Sequence, residues 1–121
     1  KRDWSSDVCS SDLLSLYDAF TITPLLFLED LGFCKKGEGG PFVASGAIAP
    51  GGSLPVNTSG GGLSYCHPGM YGLLVMIEAI RQVRGECGQR QVKNCNVALA
   101  HGNGGVLSSE CTVIFGSETT L

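Results

Sequence analysis

Between Gly60 and Gly69 the chain reads GGGLSYCHPG, and an apolar run follows at once, from Met70 to Val83. The run starts as MYGLLVMI, apolar on every side, and ends as the amphipathic EAIRQVRG. A helix that is apolar all round is a buried helix, so any fold of this chain has to enclose one. Pro68 suits a first helical position, and Gly85 and Gly88 mark an end. The spacing therefore predicts a helix over 68–84, with Glu78 to Gln82 and Arg81 to Arg84 on the face that emerges into solvent. His67 then stands at the positive end of that helix, where an imidazole can exchange a proton beside a developing negative charge. A histidine in front of a helix is also a common structural cap, and the residues elsewhere decide between the two.

The other elements follow from period and punctuation. Leu14 to Tyr17 alternates like the end of a strand. Asp18 has N-cap chemistry, and a helix is predicted from Ala19 to Leu31, stopped at Gly32, with Pro24 in its first turns. The apolar stretch from Pro24 to Leu28 predicts burial on most sides. Lys35 to Gly62 is rich in glycine, proline and serine and is too long for a simple connector. Phe42 to Ala44 and Ala47–Ile48 read there as short strands. Asn96 to Ala100 and Cys111 to Phe115 read as buried strands, joined into a hairpin by the glycine loop His101-Gly102-Asn103-Gly104-Gly105. The order strand, helix, loop, helix, strand, strand predicts an α/β fold with helices layered on a sheet.

Composition excludes several classes. At 121 residues the chain makes at most one domain. A net charge of −3 offers no electrostatic footprint for nucleic acid. The longest continuous apolar run, Leu73 to Ile77, is far short of a bilayer span. The six cysteines show no CxxC or other short ligand spacing, which argues against a structural zinc site and for free thiols in a cytoplasmic protein. The N-terminal KRDWSSDVCSSDL has no apolar core of a signal peptide.

Three polar points fall just outside the regular elements: Tyr17-Asp18, His67 and His101. Ends of this kind converge in α/β folds to make active sites. The N–H groups of Gly102, Asn103, Gly104 and Gly105 are candidates for an oxyanion hole, because glycine lets a substrate oxygen approach the backbone. Together these residues point to acid–base chemistry on a carbonyl.

Five stretches, in order, carry a resemblance: YDAFTITPLLFLEDLGFC, GEGGPFVASGAIAPGGSLPVNTSGGGLS, CHPGMYG, EAIRQVRGECGQRQV and AHGNGG. From Tyr17 to Gly116 the chain resembles the C-terminal domain of the thiolase superfamily, in its sterol-carrier-type or lipid-transfer-protein branch. The resemblance implies an incomplete thiolase-like domain, with a mixed sheet and buried helices. It implies an enzyme that makes or breaks a carbon–carbon bond next to a coenzyme A thioester, with coenzyme A as part of the substrate and no bound cofactor or metal. His67 matches the histidine of the Gly-His-Pro motif, which activates a nucleophilic cysteine. Tyr17 stands in the asparagine slot of Asn-Glu-Ala-Phe, and His101 in the slot of the second cysteine. Branch members with tyrosine in that slot include aldolases that cleave a β-hydroxyacyl-CoA without a covalent cysteine, and a phenol can take the proton of such a hydroxyl. Those aldolases carry a second tyrosine where this chain keeps His67, so the sequence joins a thiolase-like histidine to an aldolase-like tyrosine. A homodimer and a small partner with an OB-fold and a zinc ribbon are further implications. The alternative is a non-catalytic homologue that binds acyl-CoA or lipid.

Arg2 to Leu13, RDWSSDVCSSDL, resembles the translation of a sequencing-library adapter, a contaminant of metagenomic assemblies. On that reading residues 1–13 are a non-native leader, and residues 14–121 are a fragment whose nucleophilic cysteine and partner domain lie further upstream. The fragment is then expected to be inactive, with a sheet short of a strand and exposed apolar area on the helix from Ala19 to Leu31.

Overall fold

The computed structural model describes residues 10–120. The run LLSL forms strand β1, Leu13–Leu16, and all four of its residues are buried. Strands β2, Val97–Gly104, and β3, Ser109–Gly116, complete a sheet of order β1-β2-β3. β1 runs parallel to β2, with Leu13 opposite Ala98 and Leu16 opposite His101. β2 and β3 form the expected antiparallel hairpin, with Val97 opposite Gly116 and Gly104 opposite Ser109. A parallel pair requires a crossover, and here everything between Leu16 and Val97 supplies it.

Side chains alternate across the sheet and split the core in two. Leu14, Leu16 and Leu99 pack with Phe27 and Leu28 on one face. Leu13, Ala98 and Ala100 pack with Tyr71, Val75 and Ala79 on the other. Phe27 and Leu28 belong to helix α1, Ile22–Asp30. Helix α2 is Gly39–Ala44, helix α3 is Gly61–Ser64, and helix α4, Tyr71–Val83, covers the second face. Helices on both faces of a mixed sheet make the fold α/β, as expected. Among the described residues no helix is long and apolar enough to cross a membrane.

The free edge of β1 is closed by a loop. Leu14 N–H donates to the Pro55 carbonyl at 3.0 Å, and Asn57 N–H donates to the Leu14 carbonyl at 2.9 Å. Leu16 N–H then finds the side chain of Asn57, at 2.7 Å to Oδ1. Asn57 holds a left-handed φ of 51°, a conformation asparagine tolerates better than most residues. Two residues of the adapter-like segment take part in this framework. Leu13 is fully buried, and the Asp12 carboxylate accepts the N–H groups of Asn96 and Val97 at 2.8 and 2.9 Å. Residues 1–9 of that segment, with Trp4 and Cys9, lie outside the described residues.

The structure corrects several boundaries. α1 starts at Ile22, after Thr21, and Asp18 does not cap it. Of α1 only Thr23, Phe27 and Leu28 are buried, because the helix lies on the sheet with one face. It ends as predicted at Gly32, whose φ is 86°. Phe42 to Ala44 is helical rather than extended. Pro41 sits in the first turn of α2, where its missing N–H costs nothing, and Glu29 Oε1 accepts the Gly39 N–H at 3.0 Å to fix the start. Ala47 and Ile48 form no strand, although their carbonyls accept the N–H groups of Leu54 and Val56. α4 begins three residues after Pro68, behind a left-handed Met70 with φ 60°. It is buried on one side only. Leu73, Leu74 and Ile77 are 55, 48 and 42% exposed, so α4 carries uncovered apolar area as well as the predicted stretch from Ala19 to Leu31, where Phe20 and Ile22 are exposed. β3 is an edge strand and is not buried. His101 to Gly104 continue β2, and the turn is made by residues 105–108.

Glu78 and Gln82, expected to face solvent, are 6 and 1% exposed. They point under the loop that closes β1. Arg90 reaches the Glu78 carboxylate with two bonds of 3.0 Å, and Thr58 Oγ1 donates to the same group at 2.9 Å. Gln82 accepts from Val92 N–H at 2.9 Å and donates to the Arg90 carbonyl at 3.0 Å. Burial pushes the Glu78 carboxyl up, but the bonds from Arg90, Thr58 and Gln82 bring it below the usual glutamate value. Helical spacing placed both residues on one stripe; no local signal told that a loop would cover it.

Candidate active site

Tyr17 is the first residue past β1, and its N–H donates to the His101 carbonyl at 2.9 Å. The pleat turns its ring to the α4 side of the sheet, where it packs against the core that contains Tyr71. The two phenol rings lie 5.2 Å apart, and the His67 imidazole lies 5.4 Å from Tyr17 on a similar tilt. Tyr17 Oη reaches both imidazole nitrogens, Nε2 at 2.7 Å and Nδ1 at 3.0 Å. One hydroxyl serves one ring nitrogen at a time, and the histidine tautomer decides which partner donates. His67 is exposed and Tyr17 half-buried, so the pair is fixed from beneath and open above.

Tyr71, unmarked by the sequence except as an apolar helical residue, forms the floor. Burial, and then the charge of Asp18, push its phenol up to about 12, so it stays neutral. Asp18, the expected helix cap, turns the other way. Its carboxylate accepts the N–H groups of Gly62 and Leu63, at 2.7 and 3.2 Å, ahead of the turn that carries His67.

The structure brings Tyr17 and His67 together and leaves His101 apart from them. The His101 side chain leaves β2 on the opposite face, where its ring packs edge-on to Phe27 at 4.3 Å. Its Nδ1 lies 2.7 Å from Thr112 Oγ1, and its Nε2 lies 3.9 Å from a Glu110 oxygen with no hydrogen-bond partner among the described residues. Burial pushes this imidazole down and Glu110 offsets part of the effect, leaving it below the usual 6.5. The unfolded chain then binds a proton before the native one does, so native stability declines as pH falls through about 6.5. Denaturant unfolding at a series of pH values should show this decline, and His101→Gln should flatten it.

The glycines after His101 have their own geometry. Gly102, Asn103 and Gly104 are extended in β2, so their N–H groups alternate between the two edges of the strand instead of converging. Gly105, with φ 61°, opens the turn. Gly102 faces α4, and a Cβ there would come within 3.5 Å of the Gly72 Cα. Beside that close approach lies a cleft of about 310 Å³, walled by Val75, Met76, Gly104 and Cys111. It is mostly apolar and lies on the same sheet face as Tyr17.

The thiolase C-terminal domain-like family matches residues 6–117. The chain belongs to that family. Among relatives of this thiolase domain, the acetyl-CoA acetyltransferase of Methanothermobacter thermautotrophicus is 40% identical over 105 residues, covering 86% of this chain and 27% of the relative. The 17-hydroxy-3-oxo-4-pregnene-20-carboxyl-CoA lyase of Mycobacterium tuberculosis is 54% identical over 72 residues, or 58% of this chain and 18% of the relative. Among solved structures, the Ltp2-ChsH2(DUF35) aldolase superposes with a TM-score of 0.77 at 34% identity, over 91% of this chain and 28% of that one. The thiolase domain described here thus spans less than a third of the length of each of these relatives.

Proposed function

We propose that this thiolase domain supplies the acid–base part of a site that makes or breaks a carbon–carbon bond beside a coenzyme A thioester. The observation that carries the reading is the hydrogen bond between Tyr17 Oη and the His67 imidazole, open to a substrate from above. In the cleavage direction Tyr17 takes the proton of a β-hydroxyl and passes its own to His67. The O–H electrons become the carbonyl, the bond between the α and β carbons breaks, and its electron pair enters the enolate of the thioester. A proton returned to the α carbon completes the reaction. Balance requires no oxidant and no covalent enzyme intermediate.

Two relatives, a CoA lyase and an aldolase, favour cleavage of a β-hydroxyacyl-CoA. The acetyl-CoA acetyltransferase favours a second reading, in which His67 activates a cysteine from another part of the whole protein for thiolase chemistry. The 121 residues alone hold one side of either site and are expected to be inactive. The aldolase complex pairs its thiolase-like chain with a DUF35 partner, and a partner of that kind is proposed here too.

Turnover by the full-length protein separates these readings. Cleavage of a β-hydroxyacyl-CoA without added coenzyme A identifies a lyase. Cleavage of a β-ketoacyl-CoA that requires free coenzyme A identifies an acyltransferase. Binding of both with turnover of neither overturns the catalytic proposal and leaves an acyl-CoA-binding homologue.

A further inference from the structure

We propose that Asp18 is a positioning residue, whose carboxylate ties the end of β1 to the turn that carries His67 and thereby sets the Tyr17–His67 hydrogen bond. The inference rests on that pair being the reacting pair. Three observations support it.

The first is where the carboxylate is spent. Asp18 is 4% exposed, and a buried carboxylate needs partners. Its two oxygens accept main-chain N–H groups from Gly62 and Leu63, and no ion pair to it occurs among the described residues. Backbone donors cannot swing away as a lysine would. The contact fixes the path of the chain, and charge-assisted bonds of this kind are the stronger class.

The second is the seat made for it. Gly61 has φ 69°, and a Cβ there would lie 2.1 Å from Asp18 Oδ2. A Cβ on Gly62 would lie 3.1 Å from Oδ1. Two consecutive glycines leave room for this one carboxylate. This accounts for part of the glycine run that leads to His67.

The third is leverage. Asp18 is the next residue after Tyr17, and Leu63 lies four residues before His67. The other ties between β1 and this passage run through Pro55 and Asn57, ten or more residues before His67. Without Asp18, β1 holds the residues ahead of His67 only from that distance. The Tyr17–His67 contact is short, 2.7 Å at Nε2, so a modest shift of the turn lengthens or breaks it.

The test is a cycle on the full-length protein, read by the NMR chemical shifts of the His67 ring nitrogens at one fixed pH, which report its hydrogen bond to Tyr17, and by kcat. Asparagine at position 18 keeps one acceptor and turns an amide N–H toward a backbone N–H. We expect Asp18→Asn to change the His67 ring signals as far as Tyr17→Phe does, and the double variant to change them no further. We expect kcat to fall about 10²-fold, the scale of a 1 Å misplacement, with KM little changed. Should Asp18→Asn fail to fold, Gly62→Ala displaces the same carboxylate more gently and keeps its charge, and a change of the same sign in the ring signals is expected. A variant of either kind that melts at lower temperature while the His67 ring signals stay as in the wild type overturns the proposal, because a purely structural carboxylate gives that result. If Tyr17→Phe changes the ring signals but leaves kcat unchanged, the Tyr17–His67 reading of function fails while the positioning result stands.

Discussion

Tyr17→Phe is expected to lower carbon–carbon bond cleavage by the full-length protein about 10²–10⁴-fold, the range typical of losing one acid–base group. The substitution removes only the hydroxyl. The ring keeps its packing against Tyr71 and the core beneath α4, so the melting temperature should hardly move. His67→Ala should cost a similar factor. The double variant should be little worse than the poorer single, because the two groups pass one proton and act as a unit. His101→Gln provides the contrast. Its side chain lies across the sheet against Phe27, so turnover should remain within a few-fold of wild type while the pH dependence of stability changes. Retention of wild-type rates by Tyr17→Phe and His67→Ala on both β-hydroxyacyl-CoA and β-ketoacyl-CoA would remove the basis of the functional proposal.

Glu78→Ala is expected to destabilise the domain by about 2–3 kcal/mol. Removing one partner of a fully buried ion pair costs about 3–5 kcal/mol. The lower figure applies because the Arg90 side chain keeps 39% of its surface in water. The loss is larger than a surface pair would give, since Thr58 and Gln82 lose an acceptor along with Arg90. Against a typical stability of about 5–15 kcal/mol this is a large fraction. Urea unfolding measures it, as a lower midpoint at unchanged slope. The wild-type contribution has a pH window as well. A carboxyl held below its ordinary 4.5 stabilises the native state fully above that value and loses the effect as pH falls through the native one. Acid sensitivity in that range should therefore be weaker in Glu78→Ala. An unchanged midpoint would mean that the loop over α4 is held by other contacts.

What the sequence disclosed depended on how local the determinant was. The hairpin of β2 and β3 and the stop at Gly32 follow from residues close together in the chain, and they appear in the structure. The strand read at Phe42 to Ala44 did not, because β propensity is weak where Pro41 and the Glu29 carboxylate fix a helical start. That Tyr17 and His67 share one site was suggested by their places at the ends of elements and by family resemblance, but their direct contact across 50 residues was not legible. The separation of His101 from that pair is a matter of pleat parity in register. Leu16 faces His101 across the β1–β2 pair, and Tyr17, one residue on, points to the other side. No period within a single strand reveals that relation. The role of Asp18 was hidden for a different reason. Its chemistry as a cap of backbone N–H groups was legible, but the donors were 44 and 45 residues away instead of next door.

The parallel pairing of β1 with β2 has a kinetic consequence. Leu13 meets Ala98 across 85 residues, and the loop-closure entropy for that length is about 4 kcal/mol beyond a constant. Local steps that form helices and the β2–β3 hairpin take microseconds or less, whereas a contact of this span is slow to form. During synthesis β1 emerges well before β2, so LLSL waits for its strand partner until most of the chain has followed. Tyr17 and Asp18 sit at the end of that strand. The Tyr17–His67 contact therefore gains its sheet in the last joining event of the domain, and nascent chains that stop short of residue 97 carry both residues without the sheet that orients them.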